Sequence, residues 1–151
     1  MIYTIGIDPD SDKHGVAIYQ DGQLQALETM DDVEIVTMVE SIRQNVSPHI
    51  TFAIEDVLAN KFVYGRNQHA SRAAQSNIGM KIGQCQQAQK SLIRWLEHLG
   101  VTYRLFRPQR GNWAENKAQF EHVTGWQKRS SKDTRSAAFF GYLALQKKIR
   151  S

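Results

Sequence analysis

A chain of 151 residues with 41% hydrophobic and 23% charged side chains carries enough apolar content for a core, which excludes intrinsic disorder. That length fits one domain, residues 1–151, burying roughly two-thirds of its unfolded surface without disulfides or structural metals. The formal charge of +4 is compatible with an anionic partner but does not by itself identify one.

The first apolar run, Met1 to Asp8, reads as a buried strand ending in a carboxylate, followed by a tight turn and a second strand from Val16 to Tyr19. Asp21-Gly22 is a hairpin signal and Gln23 to Glu28 the third strand. Asp31 or Asp32 caps a helix with Ile35, Met38, Val39 and Ile42 on one face, ending before Pro48. Thr51 to Glu55 is a short apolar strand that again ends in a carboxylate. The segment from Val57 to Ser71 has no period and reads as a loop.

A long helix follows. Ile78, Ile82, Cys85, Gln89, Leu92, Leu96 and Leu99 recur at alternating spacings of four and three until Gly100. Core packing explains this stripe, and so does a dimer seam. Val101 to Phe106 is a further strand, and Arg107 to Gly111 a basic turn. Asn112 with Glu115 resembles a capping box opening a helix that Gly125 closes. Ser131 then caps a last helix running to about Lys148. The order β-β-β-α-β-loop-α-β-α-α predicts an α/β fold with a mixed five-stranded sheet and helices on both faces.

Cys85 is the only cysteine, so an intrachain disulfide is excluded and a reducing compartment is indicated. Its apolar setting points to a buried, inert thiol. No apolar run approaches a membrane span and the N-terminus starts a strand, so a cytoplasmic protein without a membrane partner is expected. The acidic residues lie mostly before Asp56. From Arg104 onward come Arg107, Arg110, Lys117, Lys128, Arg129, Lys132, Arg135, Lys147, Lys148 and Arg150, and this asymmetry favours nucleic acid.

Asp8 could merely cap its turn, Glu55 could form a surface ion pair with Asp56 as the functional acid instead, and Asp133 could favour its helix N-terminus. Taken together they are three oxygen donors at element ends, which suits Mg²⁺ or Mn²⁺. The histidines, at 14, 49, 69, 98 and 122, show no zinc-binding spacing.

At these positions the chain resembles the RuvC family of Holliday-junction resolvases, within the RNase H-like superfamily. The likeness is carried by Ile5-Gly-Ile-Asp8-Pro with Gly15, by Ala53-Ile-Glu55-Asp-Val57, by Gly79-Met-Lys-Ile-Gly83-Gln84, and by Lys132-Asp133-Thr-Arg-Ser136-Ala137-Ala138. The four segments occur in the family's order and span nearly the whole chain. The resemblance implies a homodimeric, Mg²⁺-dependent endonuclease cutting branched DNA, the four-way junction above all, by a two-metal mechanism. It assigns Asp8, Glu55 and Asp133 to metal and catalysis, and Lys117 to charge on the scissile phosphate. Where the family carries a fourth acid, this chain has Ser136, on the helix face of Asp133 and able to ligate only through its hydroxyl or a water.

DNA contacts are expected from Arg107, Arg110, Lys128 and Arg129, and from the loop residues Lys61, Phe62, Tyr64 and Arg66, a basic and aromatic mixture suited to an opened branch point. Trp113 and Trp126 are assigned to packing. The alternatives are a branched-DNA binder weakened or inactivated through Ser136, and a nuclease of the same fold acting on flaps or forks. ATP-binding domains of the actin and sugar-kinase type also open with a strand, an Asp and a turn. They need two such domains around the nucleotide, more than this chain holds.

Overall fold

The computed structural model describes residues 1–59 and 71–150, with side chains of the last helix described through Gln146. Strands β1 (Ile2–Asp8), β2 (His14–Gln20) and β3 (Gln23–Met30) form an antiparallel meander. Helix α1 (Asp32–Ile42) leads to β4 (His49–Glu55), and α2 (Arg72–Leu99) leads to β5 (Thr102–Phe106). Helices α3 (Lys117–Thr124) and α4 (Lys132–Arg150) follow. The five-stranded sheet has the order β3-β2-β1-β4-β5, with β1, β4 and β5 mutually parallel, so the mixed sheet expected from the sequence is present.

Local chemistry explains the boundaries. Asp21 and Gly22 both take positive φ, 50° and 84°, as a two-residue turn matched to strand twist requires. At α1 a capping box closes: Asp31 accepts from the Glu34 amide at 2.8 Å, and Glu34 accepts from the Asp31 amide at 3.2 Å. Gly100, at φ 67°, ends α2 in the left-handed conformation.

The sheet has two apolar faces, read off by alternation along each strand. Ile5, Ile7, Val16, Phe52 and Ile54 pack on Ile35 and Val39 of α1 and on Leu92 and Leu96 of α2. On the opposite face, Ala17 and Tyr19 meet Ala137 and Ala138 of α4 with Trp113 and Phe120, while Ala53 meets Phe140 and Ala144. The approach of α4 is unusually close. A Cβ on Gly6 would overlap the Ala137 carbonyl, and one on Gly15 would overlap that of Asp133. The buried Tyr19 hydroxyl donates to the Ala138 carbonyl at 2.7 Å and locks the helix in place. Because Gly15 pairs with Asp8 across the sheet, this docking sets the first turn of α4 beside the end of β1.

Three expectations need correction. The stripe of α2 is buried only at Gln89, Leu92 and Leu96; Ile78 is 43% exposed, and Cys85 is half-buried rather than a core thiol. The N-terminal half of α2 contributes no residue to the buried core, so an apolar period there does not mean core. Second, Asn112 does not open one helix. It caps a 3-10 turn, Trp113–Glu115, by accepting from the Ala114 amide, and Asn116 then caps α3 separately by accepting from the Gln119 amide. Third, Arg135 is not part of a free basic surface: its buried guanidinium donates to the Ala114 carbonyl at 2.9 Å and to the Ser130 hydroxyl at 3.0 Å. Among the described residues, no helix is long and apolar enough to cross a membrane.

Candidate metal centre

The parallel pairing of β1 with β4 places Ile7 opposite Ile54, so the next residues, Asp8 and Glu55, leave the sheet side by side. Their carboxyls are hydrogen-bonded to each other. Burial pushes the Asp8 carboxyl up to about 8, and the negative charges of Glu55 and Asp133 add to the shift. A hydrogen bond from the Ser136 hydroxyl acts the other way. Burial also raises Glu55; its bond to Asp8 opposes the rise and the charge of Asp133 adds to it.

Asp133 is exposed on the first turn of α4 and acts on the pair by charge. Among the described residues, no three Asp, Glu, His or Cys side chains meet closely enough to form a ready ligand set, so the three-way convergence expected from sequence is two acids in contact and a third beside them. Ser136 is buried and sits between Asp8 and Asn112, whose side-chain amide donates to the serine hydroxyl at 3.0 Å. Sequence reading assigned Asn112 only a capping role. It does cap, through Oδ1, while its Nδ2 organises the site.

Two further residues escaped the sequence reading. Gln89, apparently a polar break in an apolar stripe, is fully buried and satisfies the turn after Glu55: it accepts from the Val57 amide at 2.7 Å and donates to Asp56 at 3.0 Å. Lys81 extends from α2 to Asp10 at 3.1 Å, in the turn that follows Asp8. Asp8, Pro9, Asp10, Val57, Lys81, Ile82 and Cys85 line a small cavity of about 190 Å³ there. Burial raises the Cys85 thiol and keeps it protonated, which fits packing rather than nucleophilic chemistry.

The remaining sequence-assigned residues are spread more widely. Lys117 is exposed on the first turn of α3, and its assignment rests on the motif alone. Arg107 and Arg110 are exposed just beyond β5, while Lys128 lies over the Trp126 ring at 5.8 Å and the backbone carbonyl of Arg129 accepts from the Trp126 indole at 3.1 Å. Trp113 is core, as expected. Lys61, Phe62, Tyr64 and Arg66 lie outside the described residues.

No protein-family model matches the sequence, and no curated protein matches it. The fold does have counterparts among solved structures. A structure of Thermus thermophilus RuvC in complex with a Holliday junction substrate superposes with a TM-score of 0.62 at 14% identity, covering 99% of this chain and 96% of the other. A second Thermus thermophilus RuvC structure gives a TM-score of 0.54 at 17% identity, with 98% and 96% covered. The chain therefore shares its fold, a mixed five-stranded sheet with helices on both faces, with these RuvC structures over nearly its whole length.

Proposed function

We propose that the chain is a divalent-cation-dependent endonuclease that cuts phosphodiesters in branched DNA, with the four-way junction as its substrate. One observation carries this reading. Asp8 and Glu55 are pressed together at adjacent strand ends, with Asp133 close enough to add its charge. Two partly buried carboxylates in contact keep a proton or bind a cation, because both cannot stay ionised side by side without one. None of the groups acting most strongly on Asp8 is a cation.

The donor set fits Mg²⁺ or Mn²⁺, which prefer carboxylate oxygens and water. Asp8 and Glu55 would hold the ion, and Asp133 would join from α4. When bound, such a cation acts as a Lewis acid that generates a nucleophilic hydroxide and neutralises charge on the phosphate. The protein's own groups do the positioning. Ser136, itself fixed by Asn112, orients Asp8 and favours its ionised form. Exposed Arg107, Arg110, Lys128 and Arg129 would contact backbone phosphates and set the register of the DNA without reading its sequence. Lys117 would stabilise charge at the scissile phosphate.

That a protein of this fold is seen bound to a Holliday junction supports the choice of substrate. Paired nicks need two sites, and Ile78, the exposed start of the apolar stripe on α2, offers a contact for a homodimer. A second reading, a branched-DNA binder with weak chemistry, draws on Ser136: its hydroxyl is already engaged by Asn112 and Asp8 and supplies no charge.

The test is incubation of a synthetic four-way junction with Mg²⁺, comparing wild type with Asp8→Asn. Paired nicks near the crossover, lost by at least about 100-fold in the variant while binding persists, are expected. Binding without cutting by the wild type would select the second reading. No preference for a junction over duplex DNA in either binding or cutting would end both.

A further inference from the structure

Lys81 is absent from the chemistry assigned above, yet it stands at the rim of the cavity that opens onto Asp8. Its ammonium donates to Asp10 at 3.1 Å, with the lysine side chain 56% exposed and the aspartate 25%. The field of Asp133 also reaches it. Its base is rigid. Two turns further along α2, Gln89 is buried and bonded to Asp56 and Val57, and Gln86 donates to the Val57 carbonyl at 3.4 Å. The root of Lys81 is therefore fixed relative to the end of β4, where Glu55 lies.

Asp10 does not depend on Lys81. The same carboxylate oxygen accepts from the Asp12 amide at 3.2 Å and from the Ser11 hydroxyl at 3.5 Å, so the turn keeps its carboxylate satisfied when the ammonium leaves. An exposed ion pair of this kind is weak and screened by salt. A phosphodiester anion entering beside Asp8 meets a mobile ammonium on a long stem, held by a carboxylate that has other donors.

We propose that Lys81 is a DNA-phosphate ligand parked on Asp10: in the free protein the aspartate holds the ammonium at the rim of the Asp8 cavity, and an incoming backbone phosphate takes it over. The proposal rests on the reading of this site as a nucleic-acid phosphodiester site, and it adds a residue and a hand-over to that reading.

The test is equilibrium binding of a labelled four-way junction in EDTA across a salt series, with wild type, Lys81→Gln, Lys81→Arg, Asp10→Asn and the Asp10→Asn/Lys81→Gln double variant, thermal melting serving as the folding control. Lys81→Gln should bind about tenfold more weakly, as expected for a lost charged hydrogen bond. Its salt dependence should fall by about 0.9 in log–log slope, the signature of one phosphate contact. Lys81→Arg should keep most of the affinity. Asp10→Asn should bind about threefold tighter, and that gain should vanish in the double variant, because it acts by freeing Lys81. If Lys81→Gln matches wild type in affinity and slope, Lys81 holds no phosphate and the inference fails while the nuclease reading stands. A gain from Asp10→Asn that survives in the double variant would show simple repulsion by Asp10, again overturning the hand-over. Wild type that binds no junction removes both.

Discussion

Two acidic clusters flank the turn between β1 and β2, and the protein treats them in opposite ways. At Asp32 burial would raise the carboxyl, but hydrogen bonds from His14 and Ser91 outweigh it and hold the group below the usual carboxylate range. The Asp32–His14 distance is 2.8 Å and the Ser91 hydroxyl donates at 2.6 Å. Because His14 accepts from the Asp10 amide through Nδ1 at 3.2 Å, its Nε2 carries the proton given to Asp32. At Asp8 burial and two like charges act in the same direction, and a single hydroxyl opposes them. The first cluster is a finished pin joining β2, α1 and α2. The second is short of positive charge, which is the physical difference between a structural carboxylate and one that needs a ligand.

The largest expected effect comes from overloading the second cluster. Ser136→Asp places another carboxylate at a position only 4% exposed, against Asp8. In EDTA at pH 7.5 it should lose about 3–5 kcal/mol, the range for an uncompensated buried charge. Mg²⁺ should return most of that stability and speed junction cleavage if the missing acid limits the rate. Denaturant melts with and without Mg²⁺ decide the matter. Equal stability in both conditions would mean that the added carboxylate and its neighbours hold no Mg²⁺.

Next in size is the reverse change. The folded Asp8 carboxyl, at about 8, lies above its ordinary 3.8, so the native state binds the extra proton. The stability this group contributes is complete below pH 3.8 and is lost as pH rises through about 8. Asp8→Asn should therefore be more stable than wild type at pH 7.5 in EDTA, on the order of 3 kcal/mol, a Tm rise of roughly 5–10 °C. The gap should close toward pH 4. Wild type but not the variant should gain stability from Mg²⁺, about 2.7 kcal/mol at a hundredfold excess over Kd. A Tm that does not rise in Asp8→Asn would show that the like charges are relieved in some other way.

What was legible in the sequence follows the range of the interactions involved. The ends of β1 and β4, and hence Asp8 and Glu55, are set by local apolar runs and the turn residues after them, and they read directly. Asp133 follows from a helix start capped by Ser131, whose hydroxyl accepts from the Thr134 amide at 3.2 Å. The rest depends on partners distant in the chain. Gln89 looks like a flaw in an apolar stripe until the turn after β4 supplies the Val57 amide it satisfies. Lys81 has no visible role until α2 is laid beside the turn holding Asp10. Asn112 matches a capping pattern, but the pattern does not reveal that Asn116 starts its own helix or that the spare amide of Asn112 reaches Ser136. The close seat of α4, without which Asp133 and Ser136 would stand away from Asp8, needs glycine at 6 and 15, and only the packed structure gives the reason.

The smallest effect tests the finished cluster. Asp32→Asn keeps the shape of the side chain but turns a charge-assisted acceptor into a neutral amide facing His14 and Ser91. A loss of about 1–2 kcal/mol is expected at pH 7. Asp32 titrates below its ordinary value in the folded state, so its stabilisation is present above pH 3.8 and fades as pH falls through the lower folded value. The deficit of the variant should shrink only in that acid range, whereas the surplus of Asp8→Asn shrinks across the whole span from about 8 down to 3.8. Mg²⁺ should change the melting of Asp32→Asn by as much as it changes wild type, since this cluster already has its donors. If Mg²⁺ instead stabilises the variant much less than wild type, the His14–Asp32–Ser91 pin shapes the turn that presents Asp8, and the two clusters act as one unit.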